Sequence, residues 1–362
     1  MSAVRTARPA GPGPELRPRR SGPVVVWATV GAAFLALQVW VYGSWLASGD
    51  LKAVSPGPTP IPGWMHVTIR LFEAGSVAAG VAFLWFFLVR PWRKAGHITL
   101  DGMFCLAYLT LFWMDPMMNL FNTWFTYNAG FIAVASWAPH IPWWFSPRGG
   151  NLPQAVLMFL PAYPYAQFGQ AILAGLLMRR VERRWPAITR VRLVALTWGA
   201  LIAGDFIIES VSMRLGLWAF PGAIRGLSVM AGTRFQFPVY EAVTLAAFHT
   251  AVAAVRYHRD DQGRTAVERG ADLPAPGGGP VRDSGRRFLA IVGFCNVAYL
   301  AYNLTFGLFG LHGDAWPKDI QSRSYITDGF CGVGTDYACP SPDLPLPRRG
   351  SSHFDPSGRL VP

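Results

Sequence analysis

The chain has 362 residues, of which 52% are hydrophobic and only 14% charged, where soluble domains carry about a quarter. This excludes an ordinary water-soluble fold and predicts an all-α polytopic transmembrane helix bundle. The net charge of +12 falls in clusters between apolar runs, which orients a membrane protein and argues against nucleic acid as a partner.

Residues 1–22 are rich in Pro, Gly and Arg (Arg5, Arg8, Arg17, Arg19, Arg20) and read as a disordered basic cytoplasmic tail. A transmembrane domain over residues 23–311 follows. Its seven expected spans are Val24–Leu46, Trp64–Val89, Ile98–Phe121, Pro153–Met178, Leu193–Met213, Phe237–Val255 and Phe288–Leu311. Each approaches the 17–25 residues a bilayer demands. The first run is too long for a signal-peptide core and reads as a retained helix. With the N-terminus inside, the basic clusters at 90–94, 178–192 and 256–287 all face the cytoplasm, and the tail over 312–362 lies outside the cell membrane.

Two stretches fit re-entrant or interfacial helices better than spans. Ala129–Phe145 holds Pro139, Pro142 and the Trp143–Trp144 pair, and Leu217–Arg234 holds Pro221, Gly222 and Gly226. Asp272–Asp283 reads as a flexible linker. Cys105 and Cys295 lie inside spans. Cys331 and Cys339, in FCGVGTDYACP of the outer tail, are expected to form a disulfide; zinc, the alternative, needs ligands beyond His353.

The polar residues of the spans gather toward the outer half of the membrane. Span two carries His66, Arg70 and Glu73 in its first turns, and span five carries Asp205, Glu209 and Ser212 at i, i+4 and i+7. Residues so spaced share a helix face. Asp115 stands before Pro116 in MDPMMNLFNTWFTYN, where an N-cap with proline at N1 predicts a break and a short second helix carrying Asn119 and Asn122, with Tyr127 beyond. Tyr240 and Glu241 open span six, and Asn296, Tyr299 and Asn303 form a stripe on span seven.

Each group has a structural alternative. Asn296, Asn303 and Ser212 also read as bonds between helices, and Arg70 with Glu73 as an interfacial ion pair. Tyr163 and Tyr165, in PAYPY, either line a pocket or help pack span four, and packing is the favoured reading. Arg214, Arg225 and Arg234 either snorkel to the outer interface or neutralise the acids. The Asp205–Glu209 pair is harder to read as structure, because two carboxylates on one face repel unless a proton or cation intervenes.

The only lysines are Lys52, Lys94 and Lys318, none of them mid-membrane, so a retinal Schiff base is excluded. There is no GxxxxGK[ST] phosphate loop, and no His cluster suggests haem or a di-iron centre. Neither cofactor nor metal is expected.

Four stretches carry a family resemblance: FLVRPWRKAGHITLDGM (Phe87–Met103), DPMMNLFNTWFTYN, YHRDDQGRTAVERG (Tyr257–Gly270) and, most specific, DIQSRSYITDGFCGVGTDYACP (Asp319–Pro340). They resemble the AveC-type spirocyclase family of actinobacterial integral membrane proteins. The resemblance implies a membrane enzyme of secondary metabolism, since the namesake acts in avermectin biosynthesis and closes a spiroketal from a dihydroxy-ketone polyketide. It supplies no catalytic residues. Position in the spans nominates Asp205 and Glu209 as acid and anion, assisted by Glu241 and Asp115. Asn119, Asn122, Tyr127, His66, Arg70, Glu73, Tyr240 and Asn303 are nominated for substrate binding. The expected partners are the lipid membrane and an apolar substrate entering from it. The alternatives are a proton- or cation-coupled transporter, a lipid-binding membrane protein, or a non-catalytic scaffold.

Overall fold

The computed structural model describes residues 22–271 and 279–362. All but the last residue of the basic tail, and most of the Asp272–Asp283 linker, lie outside them. The fold is mostly helical. Helix α1 (Pro23–Ser48) starts with proline at N1 and ends where Gly49 turns left-handed at φ 77°. Helix α2 (Gly63–Leu84) runs on through a π-turn, Trp85–Val89, into Arg90–Ala95. Pro91 lacks an N–H, and its ring crowds the carbonyl one turn back, which widens the helix there.

Helix α3 (Leu100–Leu109) is capped by the Thr99 side chain, which accepts from Gly102 N. Helices α4 (Val156–Ala162) and α5 (Gly169–Arg184) are joined by a second π-turn, Tyr163–Phe168, in the proline-bearing PAYPY stretch. Helices α6 (Arg190–Arg214), α7 (Val239–Tyr257) and α8 (Pro280–Gly310) complete the bundle.

Among the described residues, four helical stretches are long and apolar enough to cross a membrane: Pro23–Ser48, Gly63–Ala95, Arg190–Arg214 and Val281–Gly310. The other three expected spans differ for local reasons. The third stops being α-helical at Leu109 and continues as a tighter 3-10 helix, Phe112–Asn119, with Pro116 inside it. The break therefore precedes Asp115, and no second α-helix carries Asn119 and Asn122. The fourth is interrupted by its π-turn. The sixth, α7, has more than half of its residues buried. The last helix begins at Pro280, eight residues before the expected Phe288, so the end of the presumed linker is helical.

Outer helices α1, α2 and α6 expose apolar side chains, among them Val39 at 74%, Leu71 at 67% and Ile207 at 62%. Water would not tolerate so much exposed hydrocarbon, and lipid does. Inside this ring α8 packs against both α3 and α7. Helix α1 lies along α8 through two glycines. A Cβ on Gly31 would stand 2.0 Å from Leu289 O, and one on Gly293 would stand 2.2 Å from Trp27 O. Arg256 near the end of α7 clamps Asp101 of α3 with bonds of 2.7 and 2.8 Å.

Neither expected re-entrant helix forms. Residues 129–145 contain only a 3-10 turn, Ala138–His140, and the two-residue strand Val134–Ala135, paired antiparallel with Pro153–Gln154. Residues 217–234 contain a 3-10 turn at Arg225–Leu227 and two short strands; Trp218–Ala219 pairs with Thr126–Tyr127, and Ser228–Val229 with Phe237–Pro238. Prolines deny these stretches a continuous helical ladder, so their backbone groups are satisfied between loops.

The C-terminal tail folds onto these loops. Ser324 Oγ accepts from Thr59 N at 2.9 Å and donates to Pro56 O at 2.8 Å. Arg148 donates to Phe330 O at 2.9 Å and lies over the Tyr337 ring. Cys331 and Cys339 are joined by a disulfide. Arg214, Arg225 and Arg234 do not reach the buried acids: they bond Ser210 O, Ala315 O and Asp319 respectively.

Candidate active site

A cavity of about 590 Å³ lies within the bundle, and Asp115, Asp205, Glu209 and Glu241 all line it. They come from three separate helical elements: the 3-10 helix after α3, helix α6 for two of them, and helix α7. The remaining wall is largely aromatic and aliphatic, including Phe125, Phe159, Phe220 and Leu245.

On one side stands Asp115, 4% exposed. Its Oδ1 accepts from the hydroxyls of Tyr127 and Tyr163, each at 3.1 Å. The Tyr163 hydroxyl lies 2.9 Å from that of Tyr299. Asp115 Oδ2 is buried without a hydrogen-bond partner. The widened turn after α4 starts at Tyr163, and the short strand Thr126–Tyr127 presents Tyr127. The two phenols thus reach one oxygen from elements 36 residues apart in sequence.

On the other side, Asp205 of α6 and Glu241 of α7 are neighbouring buried carboxyl groups. Such a pair favours one proton between the two groups, because bare carboxylates repel. Glu241 Oε1 also accepts from Tyr302 OH at 3.0 Å. Asp205 Oδ2 and Glu241 Oε2 have no hydrogen-bond partner and are buried. One turn beyond Asp205, Glu209 Oε2 accepts from the Trp218 indole at 2.6 Å. Trp218 is held opposite Tyr127 in the paired strands. Tyr299 and Tyr302, three residues apart on α8, stack with centroids 5.5 Å apart and join the two acidic centres.

The structure does not bring every nominated residue here. Asn119 accepts from Trp124 N and Phe125 N and donates to Phe125 O at 2.8 Å, and Asn122 donates to Gly310 O. Both carboxamides staple loops instead of facing the cavity. His66 is exposed on α2 and does not line the cavity. Arg70 pairs with Glu73 and donates to Gly130 O, while Glu73 accepts from Ile132 N at 2.6 Å, so this pair holds the loop after Asn128. Tyr240 accepts from Ile224 N and stacks on Phe309. Asn303 donates to Tyr299 O within its own helix.

Conversely, Tyr163, Tyr302 and Trp218 line the cavity and bond its acids, and Tyr299 lines it and meets the Tyr163 hydroxyl, although none was nominated. The i, i+3 spacing of Tyr299 and Tyr302 was a usable signal; Trp218 had none, because its place depends on a strand register across 91 residues.

The cavity wall also includes Leu173 of α5 and Ile208 of α6, which are 63% and 52% exposed. The chamber therefore extends to the apolar outer surface between these helices. Among the described residues, no three His, Cys, Asp or Glu side chains gather as a metal site would require.

No curated protein and no solved structure matches the chain. The family model described as spirocyclase, AveC-like, matches residues 94–326. That span covers well over half of the sequence, including α3 to α7 and all four cavity carboxyls, and the chain belongs to the AveC-like spirocyclase family.

Proposed function

We propose that this protein is a membrane-embedded cyclase that closes a spiroketal-type ring system in an apolar, polyketide-like dihydroxy-ketone. In this reading the chain crosses the cell membrane seven times, the N-terminus in the cytoplasm and the tail outside. The three interrupted or buried segments complete their crossings against protein, where irregular backbone is tolerated around a cavity. The carrying observation is that four carboxyl groups and five phenols line one largely apolar chamber.

The chemistry needs no redox partner. One substrate hydroxyl adds to the ketone carbon while its proton ends on the carbonyl oxygen, giving a hemiketal. Protonation of the new hydroxyl expels water and leaves an oxocarbenium ion. The second hydroxyl bonds to that carbon and gives up its proton, so the net change is loss of one water. The shared proton of Asp205 and Glu241 suits the donor. Glu209, fixed by Trp218, is the carboxylate beside the cation and the acceptor of the last proton. Asp115, fixed by Tyr127 and Tyr163, serves the other oxygen of the forming ring pair. An apolar substrate enters from lipid between α5 and α6.

The test is conversion of a dihydroxy-ketone substrate by membranes carrying Asp205→Asn or Glu209→Gln. Loss of a positioned acid or base lowers rates by roughly 10²–10⁴-fold. Undiminished cyclisation by both variants overturns the assignment. A transporter or scaffold would give no cyclised product even with the unaltered chain.

A further inference from the structure

At the end of the bundle where α5 passes into α6, Arg179, Arg180, Arg183, Arg184, Arg190 and Arg192 stand against a single acid, Glu182, which is occupied by the Tyr257 hydroxyl. Within this cluster lies an open cleft of about 820 Å³ whose walls include Arg184, Trp185, Ile188, Arg192, Ala195 and Leu196. Arg184 and Arg192 are exposed, and no carboxylate pairs with either among the described residues. Arg192, Ala195 and Leu196 sit at i, i+3 and i+4 and so share one face of α6. On that face a cationic head lies directly over an apolar track. Trp185 is 54% exposed at the same level, the depth at which indoles settle between headgroups and hydrocarbon.

A simple orienting charge needs only arginines in water. Here two guanidiniums flank a cleft that continues onto the lipid-facing side of a helix long and apolar enough to span the bilayer. We propose that this cleft holds one anionic glycerophospholipid, its phosphodiester between Arg184 and Arg192 and an acyl chain along Ala195 and Leu196. Charge complementarity selects the headgroup, and the apolar track selects a lipid over a free anion.

The test is native mass spectrometry of the full-length protein in detergent, titrated with phosphatidylglycerol, with phosphatidylcholine or with inorganic phosphate. The expected result is one retained phosphatidylglycerol per chain, with little retention of phosphatidylcholine. Retention should fall roughly tenfold or more in Arg184→Gln/Arg192→Gln, and hold in Arg179→Gln/Arg180→Gln, which loses the same charge outside the cleft. Equal retention by both double variants, equal binding of the two lipids, or displacement by equimolar inorganic phosphate would overturn the proposal. The readout is lipid occupancy, so it stands or falls independently of the cyclase assignment.

Discussion

At Asp115, which lines the cavity, two phenols donate to the same carboxyl oxygen, and the other oxygen is buried without a hydrogen-bond partner. The arrangement orients a carboxyl group without occupying its second oxygen. Removing one phenol should therefore impair turnover more than folding. Tyr163→Phe, which removes the contacts to Asp115 and Tyr299, is expected to lower cyclisation roughly tenfold, in line with hydrogen bonds of about 1 kcal/mol each, while thermal unfolding stays within a few degrees of the parent. A cyclisation assay beside a melting curve checks both. A second residue-scale prediction concerns Asp328 in the tail. It is buried with neither carboxylate oxygen bonded, and desolvation pushes its pKa well above the usual carboxylate range. The folded state then binds the proton more tightly than the unfolded state, so this group costs progressively more stability as pH rises from about 4 through its folded-state pKa. Asp328→Asn keeps the shape, and asparagine tolerates the left-handed backbone there, φ 52°. The variant should melt above the parent at pH 7, by roughly 2 °C or more, and the gap should close near pH 4. A gap independent of pH would sink the account.

At the scale of elements, the π-turn Tyr163–Phe168 and the glycine contact of α1 with α8 are the two places where local geometry sets the site or the bundle. Gly31 and Gly293 let two backbones approach within side-chain distance. Gly31→Val must push the helices apart and is expected to cost several kcal/mol, seen as loss of folded protein from detergent extracts. Gly43→Val, in the same helix with open space around it, should be tolerated. Pro161 and Pro164 stand inside the expected fourth span, yet the widened turn could not be read from them, because a proline permits a kink, a stop or a widened turn according to what packs beside it.

For the molecule as a whole, the tail is a fastening. Trp316, Tyr325 and Phe330 are buried against the loops, and Ser324 and Arg148 bond across from distant segments. Those loops carry Tyr127 and Trp218, which orient Asp115 and Glu209. Cys331→Ala/Cys339→Ala should lower stability by roughly 2–4 kcal/mol, with a parallel fall in cyclisation at growth temperature. Unchanged melting of the double variant, measured with and without reductant, would contradict this role.

The sequence by itself determined that this chain is mostly helical, with helices apolar enough to cross a membrane, that four of its stretches resemble the spirocyclase family, and that Asp115, Asp205, Glu209 and Glu241 are candidate acids set in apolar runs. The helices and the acids follow from hydrocarbon content and from spacings of three to seven residues, which are local, and the family from the likeness of those stretches. Only the tertiary structure decided which polar groups meet. Asn119 and Asn122 lie beside Asp115 in sequence but turn to unpaired backbone groups, since an unbonded amide or carbonyl in a dry interior costs more than a lost substrate contact. Tyr163, Trp218, Tyr299 and Tyr302 come to the cavity from three distant segments, through a widened turn, a two-residue strand pair and the packing of α8. A phenol or indole in an apolar run looks the same whether it fills space or donates a hydrogen bond, and the choice rests on what the rest of the fold places opposite it.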